Sequence, residues 1–205
     1  VYQNAAYAAR YADLVGKVRA AEERAIPGSG KLTESAARYA YKLMAYKDEY
    51  EVARLYTDPA FRQQLDEQFE GNFKLEVNLA PPLLAKRDPE TGELVKRAYG
   101  PWIFKVFSLI AKLKGVRGTA FDPFGRTAER RTERQLIEQY FTDIEEAMQS
   151  LTAENHSAAV ALARVPEHIR GFGHVKERHL KNAASRREEA LEAFRNPAAT
   201  QNAAE

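Results

Sequence analysis

Cysteine is absent from all 205 residues. Its absence excludes disulfides, thiolate zinc sites, a cysteine nucleophile and any iron–sulfur cluster held by this chain's own thiolates. No apolar run approaches the roughly 20 residues that a membrane span needs. Charge of one sign is lacking too: 31 Lys and Arg stand against 29 Asp and Glu, a net +2. That balance argues against a dedicated nucleic-acid binder. The chain opens at Val1 without the basic n-region and small-residue cleavage site of a signal peptide, which reads as a piece of a longer polypeptide. The absent signal and cysteines fit the cytoplasm.

What is present is an ordinary globular mix, 44% hydrophobic and 29% charged. Tyr7, Tyr11, Leu14, Val15 and Val18 recur at helical spacing and predict a helix to Arg24, stopped by Pro27, Gly28 and Gly30. Thr33, followed by Glu34, predicts the cap of a long helix to about Leu55. Asp58-Pro59 predicts the next start, with a stop at Gly71. The period then changes. Phe73, Leu75, Val77 and Leu79 alternate with polar residues, and the Asp88–Gly92 stretch carries turn chemistry between Leu83–Lys86 and Leu94–Arg97. A β-hairpin or three-stranded insertion is predicted over 72–99.

Trp102 to Lys114 is apolar on most sides and predicts a central core helix. Thr127 predicts the cap of a helix to Ser150, Thr152 that of a helix to Arg164, and His174 to Phe194 the last one. The fold class is therefore mainly α (α+β): a bundle of six to seven helices with a small antiparallel insertion, one domain over 1–196, then a polar tail over 197–205. No βαβ alternation supports a nucleotide-binding sheet.

Local motifs for chemistry fail on spacing. Lys31 in Gly28-Ser29-Gly30-Lys31 is followed by Leu32, and Ala25 holds the first glycine position of a phosphate loop. Gly171-Phe172-Gly173 has Lys176 at the third glycine position of a dinucleotide fingerprint and no strand before it. The pair reads as a tight turn, with His174 and Lys176 beside a helix start that favours an anion. His156, His168, His174 and His179 are never three or four residues apart, so no helical bis-histidine metal site is encoded. Asp48, Glu49 and Glu51 read as solvated ion-pair partners of Lys47 and Arg54. No catalytic and no metal residue is assigned.

Two runs are basic. Lys105 to Arg134 holds eight cations against three carboxylates, and Glu167 to Arg187 six against two. Arg117, Arg126, Arg130, Arg170, His174 and Lys176 are the candidate anion or partner surface. The competing reading is a solvated face neutralised by the acidic stretch Glu138 to Glu146.

Several segments carry a family resemblance. They are Leu43–Tyr56, Leu79–Ala85, Gly100-Pro101-Trp102, Leu113–Thr119, Asp122–Arg131 and Arg170–Lys176. Together they resemble the C-terminal domain of long, fused indolepyruvate ferredoxin oxidoreductases over about Tyr11 to Phe194. The resemblance implies a module of a larger enzyme that decarboxylates an aryl 2-oxoacid. Such an enzyme uses thiamine diphosphate with magnesium, passes electrons through iron–sulfur clusters to ferredoxin, and hands the acyl group to coenzyme A. Its catalytic domains lie upstream in the same polypeptide, and none of its catalytic motifs maps here, so the isolated chain is expected to be inactive.

Three roles follow. One is structural, supporting a homo-oligomer through Tyr39, Tyr46, Tyr50, Trp102 and Phe107. One is docking, with the basic residues receiving coenzyme A phosphates or acidic ferredoxin. The third sets the resemblance aside: a free-standing helical adaptor for an acidic protein or nucleic acid.

Overall fold

The computed structural model describes residues 2–71, 73–80, 95–171 and 173–197. They are mainly α-helical with one two-stranded antiparallel sheet, the predicted class. The stretch read from sequence as one domain groups into two compact units: Val1–Tyr46 with Arg126–Glu205, and Lys47–Gly125.

The first unit is a bundle of α1 (Ala5–Ala25), α2 (Lys31–Met44), α6 (Ala128–Gln149), α7 (His156–Arg164) and α8 (Gly173–Arg195). Apolar residues three and four apart put one stripe of each helix into a shared core. Leu14 and Val18 of α1 share this core with Leu32, Tyr39 and Leu43 of α2, Ile137 and Ile144 of α6, Leu162 of α7 and Leu191 and Phe194 of α8. Buried Tyr140 donates its hydroxyl to Ala163 O at 2.9 Å, so the α6–α7 contact is also hydrogen-bonded. Tyrosines of the N-terminal segment serve the end of α2: Tyr7 donates to Met44 O at 3.0 Å and Tyr2 to Tyr46 O at 2.7 Å.

The second unit holds α3 (Glu49–Thr57), α4 (Pro59–Gln68), β1 (Val77–Leu79), β2 (Arg97–Tyr99) and α5 (Ile103–Lys112). In the sheet Val77 faces Tyr99 and Leu79 faces Arg97. Its small core is Ala53, Val77, Ile103 and Phe107, with Tyr56 stacked on Phe107 at 5.5 Å. The predicted 83–86 strand and the turn at 88–92 lie outside the described residues.

Some boundaries match the capping chemistry. Asp58 caps α4 ahead of Pro59, and Thr127 caps α6 by accepting from Arg130 N. Others differ. The long helix predicted from Thr33 to Leu55 is two helices, because Asp48 leaves helical geometry and caps α3 by accepting from Glu51 N at 2.8 Å. Helix α2 starts at Lys31 rather than after Thr33, and α7 starts after Asn155 rather than Thr152. Asn155 instead holds the preceding loop, accepting from Thr152 N and donating to Ser150 O. Helix α5 is not a central core helix: only Ile103 and Phe107 are buried, and Trp102, Val106, Leu109 and Leu113 are exposed. A helix reads as core from its own composition, but burial needs neighbours on every side.

Gly171, between α7 and α8, has a φ of +82°, which L side chains rarely adopt. A Cβ there lies 2.8 Å from Val175 Cγ1. Gly171→Ala is therefore expected to destabilise the bundle by about 1–3 kcal/mol, read as a lower melting temperature by circular dichroism.

Candidate functional site

Asp48 and Arg117 form a buried ion pair in the second unit, each with a side chain 3% exposed. The sequence separates them by 69 residues, and the fold sets them in a two-point clamp. Arg117 Nε donates to Asp48 Oδ2 at 2.5 Å and Nη2 to Oδ1 at 2.9 Å. The planar fork of arginine matches a carboxylate in this way. The guanidinium also lies 5.5 Å from the ring centre of Tyr50, which is itself buried.

A second buried carboxylate organises the loop after Arg117. Asp122 Oδ1 accepts from Gly125 N at 2.9 Å, Tyr50 Oη at 3.0 Å and Phe124 N at 3.1 Å, while Oδ2 accepts from Gly118 N at 2.7 Å. Burial works to raise the Asp122 carboxyl, but these bonds outweigh it and hold it below the ordinary aspartate value. Tyr50 moves the other way: burial, then its bond to ionised Asp122, raises the phenol. The geometry fixes backbone, since three of the four donors to Asp122 are main-chain amides. Thr119 adds a bond from its hydroxyl to Val116 O and accepts from Phe121 N. The loop so fixed displays Phe121, which is 86% exposed. A large apolar ring held out in water on a braced loop suits insertion into a partner's pocket, because the backbone that carries it is already ordered in the free state.

The predicted basic surface fares differently residue by residue. Arg117 is consumed by Asp48 and faces no solvent. Arg130 is buried, 5.7 Å from the Tyr46 ring and 3.8 Å from Glu133. Lys176 bonds to the same Glu133, so the fold brings Arg130 and Lys176 together around one carboxylate. Arg126 is exposed just before α6. Arg170 is exposed and donates to Glu167 O at 3.2 Å. His174 falls in the first turn of α8. Lys42, which the sequence reading passed over, donates to Pro166 O and to that same Glu167 carbonyl. Its pKa is lowered, by burial first and then by Arg170. These cations serve carbonyls of the turn that follows α7, a structural use.

The acidic stretch neutralises others: Arg10 pairs with Glu138, Arg187 with Asp143 and Arg195 with Glu146. Four of the five aromatics expected at contacts, Tyr39, Tyr46, Tyr50 and Phe107, are buried within the chain, and only Trp102 is exposed, at 58%. Among the described residues no three His, Asp or Glu side chains are placed to hold a metal ion, and no helix is long and apolar enough to cross a membrane.

The sequence profile of DUF6537, a family of unknown function, matches residues 1–189. The chain belongs to DUF6537. No curated protein and no solved structure matches this DUF6537 chain at a significant level. What the family's fold offers at this site is thus read from its own geometry: a rigid loop with an apolar tip, braced by two buried carboxylates.

Proposed function

We propose that the chain is a docking module of a larger cytoplasmic enzyme of the indolepyruvate ferredoxin oxidoreductase type, contributing contacts rather than chemistry. The observation that carries the reading is Phe121, 86% exposed on a loop braced by Asp48–Arg117 and by Asp122. Two of the segments that resemble the oxidoreductases, Leu113–Thr119 and Asp122–Arg131, flank that ring on either side. In this reading thiamine diphosphate, magnesium, the iron–sulfur clusters and the coenzyme A site belong to upstream domains of the same polypeptide. The braced loop seats the module on that body, and ferredoxin meets the assembled enzyme.

The test is Phe121→Asp in the full polypeptide. Oxidation of indolepyruvate with ferredoxin as acceptor is expected to fall about tenfold or more, as for loss of an interface anchor. The melting of the isolated chain is expected to change by no more than about 0.5 kcal/mol, because the ring makes few contacts there. Unchanged turnover in the variant overturns the reading.

A further inference from the structure

Helix α5 has two apolar faces and the second unit covers only one. At 100° per residue, Ile103, Phe104, Phe107, Ile110 and Ala111 cluster on the side that meets Ala53, Tyr56 and Val77. Trp102 at the N-cap, Val106 and Leu109 within the helix, and Leu113 at the C-cap follow the i, i+4, i+7, i+11 spacing of a separate stripe. Their exposures are 58%, 37%, 61% and 47%. This is the pattern of a helix that presents a seam to another helix.

The charge beside the seam is of one sign. From Tyr99 to Phe121 there is no Asp or Glu, whereas Lys105 and Lys112 are exposed along one edge of the stripe. Neither lysine makes an ion pair with a described residue. A second copy of this chain packed seam to seam brings these lysines toward their own kind, which disfavours a symmetric pair. A nucleic acid finds only two cations beside four large apolar side chains, a poor ratio for phosphate binding.

We infer that the Trp102–Leu113 seam of α5 receives an amphipathic helix whose apolar ridge is flanked by carboxylates. The inference rests on the reading of the chain as a docking module and assigns that module a second contact, distinct from Phe121. The partner's leucine-type ridge covers Trp102, Val106, Leu109 and Leu113, and its Glu or Asp side chains meet Lys105 and Lys112. Apolar contact supplies the attraction, and the lysines set which partner is accepted.

Trp102 is the chain's only tryptophan, so its emission reports directly on the seam. The probes are two synthetic helical peptides with the same leucine ridge, one flanked by glutamates and one by lysines. The glutamate peptide is expected to shift Trp102 emission to the blue, with binding that weakens as salt is added. The lysine peptide is expected to bind about tenfold more weakly. Lys105→Glu with Lys112→Glu is expected to invert that order, and Leu109→Ser to weaken both peptides.

Equal binding of the two peptides, or an order unchanged in the charge-reversed variant, overturns the proposal. So does a concentration-dependent blue shift without peptide, which assigns the seam to a second copy, or a Trp102 response to a single-stranded oligonucleotide in place of the peptides. Each of these outcomes leaves the Phe121 experiment standing, and an unaffected Phe121→Asp enzyme leaves the peptide order standing. The two failures are therefore distinguishable.

Discussion

Replacing Asp48 by alanine is expected to cost the 47–125 unit about 3–5 kcal/mol, the usual penalty for stranding one partner of a buried ion pair. Two losses combine. Arg117, with a side chain 3% exposed, keeps its charge and loses both carboxylate bonds. The first turn of α3 also loses the acceptor for Glu51 N, worth a further 1 kcal/mol or so. Against the roughly 5–15 kcal/mol that holds a typical domain, this decides whether the unit stays folded. Trp102 lies in the same unit, so chemical denaturation followed by its fluorescence isolates the effect. The double variant Asp48→Leu with Arg117→Met removes both charges, and is expected to recover much of the loss, since replacing a whole buried pair is far cheaper than breaking one. If the single variant unfolds at the wild-type denaturant concentration, the clamp is not what fixes the loop under Phe121.

Glu22 is the corresponding feature of the other unit, and its signature is a pH dependence. Its side chain is 0% exposed. Oε1 accepts from Leu32 N and Ser29 Oγ and contacts His156 Nε2 at 2.9 Å, while Oε2 accepts from Thr33 N and Oγ1. The carboxylate of α1 thereby caps α2, at the end where the helix dipole favours negative charge. Burial pushes its pKa up, but the bonds from Thr33 and Leu32 dominate and bring it from 4.5 to about 2. The folded state thus holds the ionised form more tightly than the unfolded chain does. The stabilisation is complete above pH 4.5 and is lost as pH falls through about 2. Its size is about 3 kcal/mol.

Glu22→Gln keeps the shape and removes this acid limb. An amide presents an NH2 to a backbone N–H in either orientation, to Leu32 N one way and Thr33 N the other. The variant is therefore expected to lose about 3 kcal/mol at neutral pH and to fall less steeply than the wild type between pH 4.5 and 2, the remaining slope belonging to Asp122 and the other carboxylates held low by their partners. Denaturation at a series of pH values by circular dichroism checks both. An acid limb as steep in the variant as in the wild type assigns the dependence to other carboxylates.

These two residues also show where sequence reasoning reached its limit. Stops and starts written in local chemistry were legible: Asp58 before Pro59, Thr127 before α6, the glycine at 171. The mainly α class with a β piece was legible from the change of period after Gly71. The break at Asp48 also had a local signal, an Asp followed three residues later by Glu51, but the apolar pattern from Tyr39 to Leu55 runs straight across it. Arg117 counted as part of a basic surface because its neighbours in sequence are basic, while its partner lies 69 residues away. Glu22 carried no signal at all, since its ligands come from a loop, α2 and α7. The exposed α5 seam was misread for a related reason: composition records how apolar a helix is, not how many neighbours it finds. Long-range pairing decides which charges are structural, and so it decides which of the six candidate basic residues remain available to a partner.

The claim that this chain serves a larger oxidoreductase is tested most directly by the native polypeptide itself. An antibody to the chain recovers it from cell extract, and intact mass with N-terminal sequencing identifies what is attached. The account predicts a polypeptide several times the mass of this chain, with the thiamine diphosphate and iron–sulfur domains upstream and this segment at its C-terminal end. A native species of the size of this chain, beginning at Val1, contradicts it and makes the free-standing adaptor the reading to pursue.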